Sequence, residues 1–193
     1  MRGKGPVEWK LRIGFLSAAF ALEVPVTETQ IEEHPAFVPS EHPVAADIHA
    51  EHLGWHEIVR LVRHLTQHER MLPGYYVDPD WSVRDLVAHL GTWLAEAQNQ
   101  LERLRAGTYE GHDLDIDAMN ASFLQAMRDQ PWSVTWVQAH AARTKMLEEW
   151  YGLTERTDEA AWWIHKAGAE HYAEHLPRLG EWVDELVARR PAE

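Results

Sequence analysis

Two histidines near the end of the chain, in His171-Tyr-Ala-Glu-His175, have the residue type and spacing to grip a metal ion. On a helix, side chains at i and i+4 leave from one face, so two imidazoles placed this way can share a divalent cation. The pattern alone is not selective, because thirteen histidines also supply the pairs His52 with His56 and His64 with His68. Helical spacing separates them. At about 100° per residue, Ile164, Gly168, His171, His175, Leu179, Trp182 and Leu186 fall within roughly an 80° arc, with the pair inside a buried stripe. The apolar arc of the first helix runs through Trp55, Ile58, Leu61, Val62, Leu65 and Leu72. His52 and His56 sit at or beyond its margin, and His64 and His68 lie on its polar side. Those four read as solvated side chains. Two neutral imidazoles in a core layer instead need polar partners, since burial without them costs about 1–3 kcal/mol per group. A shared metal satisfies both.

A third ligand has to come from another helix, near the rim of its apolar face. His89 fits, because it flanks the stripe made by Leu86, Leu90 and Trp93. Three imidazoles leave a fourth position open, the arrangement of catalytic rather than structural zinc. An ion held so lowers the pKa of water to about 7 and deprotonates a thiol more readily still. The chain has no cysteine, which excludes thiolate ligands and cysteine nucleophiles, so any thiol must come from outside. Zinc is the default ion. Nickel and iron are also accepted by neutral imidazoles.

The elements that must position these residues are helical. Helix one is expected from Asp47 to Met71, stopped by Leu72-Pro73-Gly74. Helix two starts at Ser82, capped reciprocally with Asp85, and runs to about Arg105. A third helix spans Asp113 to Asp129 and Ser133 to Tyr151, broken or kinked at Pro131. A fourth runs from Asp158 to Ala188, bent at Pro177. No strand alternation, repeat or glycine-rich phosphate loop is visible, which implies an all-α four-helix bundle over residues 46–190. Residues 1–45 read as an irregular leader or an over-long start: a basic opening, then Ile13 to Ala21, an apolar run too short to span a membrane and without a clear cleavage site. The body is therefore expected in the cytoplasm, with no membrane partner. A net charge of −13, from 31 acidic and 18 basic residues, disfavours nucleic acid as a partner. A small-molecule substrate is the expected one.

The segment Trp81-Ser82-Val83-Arg84-Asp85-Leu86-Val87-Ala88-His89-Leu90, together with His171-Tyr-Ala-Glu-His175-Leu176 and Trp182, resembles the DinB/YfiT-like superfamily over about Ala46 to Ala188. Within it the likeness is nearest to the metal-binding domain of mycothiol-dependent maleylpyruvate isomerase. The resemblance implies up-down-down-up topology and one divalent metal, often zinc, on His89, His171 and His175. It also implies a low-molecular-weight thiol such as mycothiol as cosubstrate, and a possible homodimer. The isomerase branch tends to carry glutamate where His171 stands, so on this point the chain resembles instead the three-histidine pattern of DinB-like proteins outside that branch. Asn120 and Arg143 are polar residues of the third helix that could face the metal cleft, though a solvent-facing position is the first explanation for each, and Trp81 and Trp93 lie near His89 by helical spacing. A metal-dependent hydrolase and a non-catalytic bundle that binds a metal or small ligand are the alternative readings.

Overall fold

The structure is a computed structural model that describes residues 43–77, 80–111 and 114–191; the expected leader lies almost entirely outside them. Among the described residues the chain is helical, with one isolated antiparallel bridge between Tyr76 and Trp81 and no strand. The helices are α1 (Pro43–Arg63), α2 (Val83–Ala106), α3 (Ile116–Met127), α4 (Trp132–Gly152), α5 (Asp158–Ile164) and α6 (His171–Ala188). A π-helical stretch, His165–Glu170, joins α5 to α6.

Side-chain contacts give the direction of each helix. Arg84 reaches the Gln130 carbonyl, Gly91 abuts Ala139, and Arg105 pairs with Glu149, so α2 and α4 run parallel. Glu51 packs on Gly168, Gly54 on Tyr172, and Arg190 reaches the His64 carbonyl, so α1 and α6 also run parallel. Glu51 meets Arg143 while Trp55 meets His140, which sets α1 antiparallel to α4. His89 near the start of α2 meets His171, and Trp163 donates to the Tyr109 hydroxyl just past the end of α2. The α5–α6 arm is therefore antiparallel to α2. The result is an up-down-down-up bundle.

Two parallel helices in sequence need a crossover, and α3 is part of it. Of the two readings at Pro131 the structure shows the break and not the kink: the helix stops at Met127 and a new one starts at Trp132, with Pro131 as the residue before the first turn of α4. Proline suits that place because its missing N–H would be unpaired there anyway. The crossover helix has no buried residue and is tied to α2 through Trp93, whose indole N–H donates to Asn120 Oδ1 at 2.8 Å and whose ring meets Phe123 edge-on. The first helix is also shorter than expected. It ends at Arg63, and Glu69–Met71 form a separate 3₁₀ turn.

Helix α2 has the expected start. The Ser82 hydroxyl accepts from the Asp85 backbone N–H, and Asp85 Oδ2 accepts from the Ser82 N–H at 2.8 Å. Gly107 closes it in the left-handed region at φ 70°, where glycine carries no Cβ penalty. Gly91 lets α2 and α4 approach closely, since a Cβ there would stand 3.0 Å from Ala139. The core runs through Leu86, Leu90, Leu94 and Leu101 of α2, with Ile58, Met146, Trp150, Trp163 and Leu179 around them.

Candidate metal centre

His89 projects from the second turn of α2, and His171 and His175 from the first two turns of α6. One ligating nitrogen from each lies within 4.8 Å of the other two. His171 and His175 are buried, and His89 is half-buried. The Nε2 atoms of His89 and His171 are 2.8 Å apart. The other histidine pairs are elsewhere: His56, His64 and His68 are exposed, and His52 binds the Ile48 carbonyl and the Glu51 carboxylate on α1.

The π-helical stretch ends where the metal-binding pair begins. Such stretches shift the side chains on either side against each other and are frequent at functional sites. Gly168 lies within it, and a Cβ there would come 2.8 Å from Glu51 Cγ, so only glycine admits the buried Glu51 side chain. That carboxylate is fully buried and takes two hydrogen bonds from Arg143, at 2.6 and 2.7 Å, and one from the Tyr172 hydroxyl at 3.1 Å. Burial raises its pKa, but the hydrogen bonds from His52 and Arg143 outweigh it and hold the carboxyl below its ordinary value. Arg143 therefore faces α1, and neither the metal cleft nor solvent, the two places its sequence position left open. Its bridge ties α1, α4 and α6 together beside His171.

All three imidazoles are neutral near pH 7. Burial lowers His89 to about 3, with the nearby His175 adding to the shift. Burial likewise lowers His171 to about 2, helped by His89 and His175, and burial takes His175 to about 4. Neutral rings offer lone pairs, which a cation needs. The outer hydrogen bonds favour the same use. The Ala167 backbone accepts from the His171 ring, and the Tyr76 hydroxyl lies 3.1 Å from His175 Nδ1, leaving Nε2 of His175 for the cluster. Tetrahedral zinc with Zn–N bonds of about 2.0–2.1 Å spaces its ligand nitrogens by about 3.3 Å. The observed separations, from 2.8 Å to under 4.8 Å, bracket that spacing. The donor set fits a divalent ion.

These histidines line a cavity of about 910 Å³. Tyr76, Trp81, Trp93 and Trp163 form much of its wall, α3 contributes Ile116, Asn120 and Leu124, and Glu174 lies in its lining. Ile116 and Glu174 are exposed, so the cavity opens to solvent. Asn120 lines the cavity, and Trp81 and Trp93 are both core and wall. Tyr76, Glu51 and Glu174 were not singled out from sequence. Glu51 had a signal, since it shares a helical face with Ile48, Trp55 and Ile58; Tyr76 sits in a loop and had none.

No protein-family model matches the chain, and no curated protein does. Among solved structures, an uncharacterised protein from Escherichia coli UTI89 is similar, with a TM-score of 0.63 and 14% identity over 75% of this chain and 94% of that one. At that identity the likeness speaks for the fold alone. No helix among the described residues is long and apolar enough to cross a membrane.

Proposed function

We propose that His89, His171 and His175 hold one divalent metal, zinc first with nickel or iron as substitutes, in a transferase that joins an external thiol of the mycothiol type to a small electrophile. The observation that carries this reading is the meeting of three neutral imidazoles, from two helices, in the wall of one solvent-open cavity. A divalent ion supplies Lewis acidity, which makes the deprotonated form of a thiol available near neutral pH. The protein's own residues do the rest. Tyr76 and the Ala167 carbonyl orient two of the rings, Trp81 and Trp93 shield the cluster from water, and the Glu51–Arg143 bridge fixes the helix that carries the pair. At about 910 Å³ the cavity is near the upper end of small-molecule sites, which suits two reactants better than one. With no cysteine in the chain, the thiol has to be the second of them.

A second reading, hydrolysis, is favoured by Glu174. It stands between the two late histidines, lines the same cavity and has a carboxylate that can take a proton from water. The two are separated by assaying zinc-loaded protein with a haloarene, an epoxide and an activated alkene, with and without mycothiol, alongside ester and amide substrates. Thiol-dependent product that disappears in His171→Ala is expected. Ester or amide cleavage without thiol, and no thiol adducts, would replace transfer by hydrolysis.

A further inference from the structure

The charged groups in the cavity wall are unequal. Lys166 is ion-paired with Glu170, which also meets His165 at 3.1 Å, so this group is largely self-neutralised. Glu174 is different: it is exposed and forms no ion pair or hydrogen bond with a described residue. The rest of the wall is mostly apolar and aromatic, from Trp81, Trp93, Trp162, Trp163 and Leu124. Its one amide, Asn120, already accepts from Trp93. Burying a flat apolar ring among indoles is favourable by area alone, and indoles also attract cations. An unpaired carboxylate repels an anion brought beside it, and the chain's net charge of −13 adds to that field.

We infer that this cavity selects small molecules with an aromatic body and a cationic tail over equally sized anions, and that Glu174 is the selecting group. The inference rests on the metal reading only in the end of the ligand that is taken to face the histidines. Isothermal titration of zinc-loaded protein with three hydroxamates tests it: acetohydroxamate, 4-(aminomethyl)benzohydroxamate and 4-carboxybenzohydroxamate. The aminomethyl compound should bind about tenfold or more tighter than acetohydroxamate, which lacks the ring. It should also exceed the carboxy compound by up to about fivefold, the upper end for one exposed charge pair. Glu174→Gln should abolish the second difference, with acetohydroxamate titrated alongside so that any change in chelation itself is read separately. Equal binding of the cationic and anionic compounds, or a preference that survives Glu174→Gln, would overturn the inference. The corresponding primary amides, which do not chelate, are titrated against metal-free protein by tryptophan fluorescence. A cation preference there with no zinc binding would sink the metal reading and keep the selectivity. Zinc binding with no preference in either series would do the reverse.

Discussion

His89 on α2 and His171 on α6 face each other with their Nε2 atoms 2.8 Å apart, although 82 residues separate them in the chain. Two helices are thereby joined through neutral rings, His171 buried and His89 half-buried. Only one of the two rings can donate along that line, so a cation between them serves both lone pairs where a proton serves one.

Tyr76 should matter to metal binding without mattering much to folding. Its hydroxyl lies 3.1 Å from His175 Nδ1 and orients that ring. Tyr76→Phe keeps the ring packing on Trp81 and is expected to weaken zinc affinity about tenfold, the lower end of the range for outer-shell partners. Competition with a chromophoric chelator measures this. Unchanged affinity would mean that the hydroxyl does not set the ring.

Arg143 should matter to folding. Removing it strands the fully buried Glu51 carboxylate, and breaking one side of such a pair costs about 3–5 kcal/mol. Arg143→Met is expected to lose stability on that scale in urea unfolding, and Glu51→Gln combined with Arg143→Met to recover part of it. A loss below about 1 kcal/mol would contradict the bridge as a buried pair.

Metal-free protein should lose stability as pH falls from 7.5 to 5.5. His89, His171 and His175 are depressed to about 3, 2 and 4, and His140, buried against Trp55 and Trp136, to about 4. A histidine depressed in the folded state takes up its proton more readily when unfolded, so its contribution is present above pH 6.5 and falls away as pH drops toward the folded value. His52 is raised, chiefly by its bond to Glu51, and opposes the other four. The depressed carboxylates, Glu51, Glu57, Glu69 and Glu170, titrate below this window. The net loss is expected to be on the order of 2–4 kcal/mol. Stability that holds or rises at pH 5.5 would show that the histidines are protonated in the folded state.

Gly168→Ala should perturb the same layer. The new methyl would meet Glu51 Cγ at 2.8 Å, where the glutamate is clamped by Arg143 and Tyr172 and has little room to yield. Overpacking of this kind costs about 1–3 kcal/mol, readable as a lower unfolding midpoint. An unaltered midpoint would mean that the π-helical stretch relaxes freely.

The three histidines were legible because the information was periodic. His171 and His175 fall on the apolar arc of their helix, His89 flanks that of α2, and the exclusion of His56, His64 and His68 followed from the same angular argument. The start of α2 was legible from the local chemistry of Ser82 and Asp85. The partner of Arg143 was not legible, because periodicity gives a face and not the neighbour across from it. It shares a stripe with Ala139, Met146 and Trp150, and the parallel pairing of α2 with α4 turns that stripe toward Glu51. Pro131 signalled a break, but whether the chain kinks or crosses over depends on the direction of α4, which no local signal carries. The π-helical stretch was invisible for a related reason: it answers to Glu51 packing on Gly168, a contact between residues far apart in sequence.

The most direct test is metal content by inductively coupled plasma mass spectrometry on tag-free protein never exposed to a nickel column, comparing wild type with His89→Ala and His171→Ala. The expected result is about one zinc or other divalent ion per chain in wild type, lost in both variants while circular dichroism stays helical. Wild-type protein that remains metal-free when supplied with zinc, nickel or iron would contradict the metal centre, leaving one His89–His171 hydrogen bond with the His175 ring packed against it.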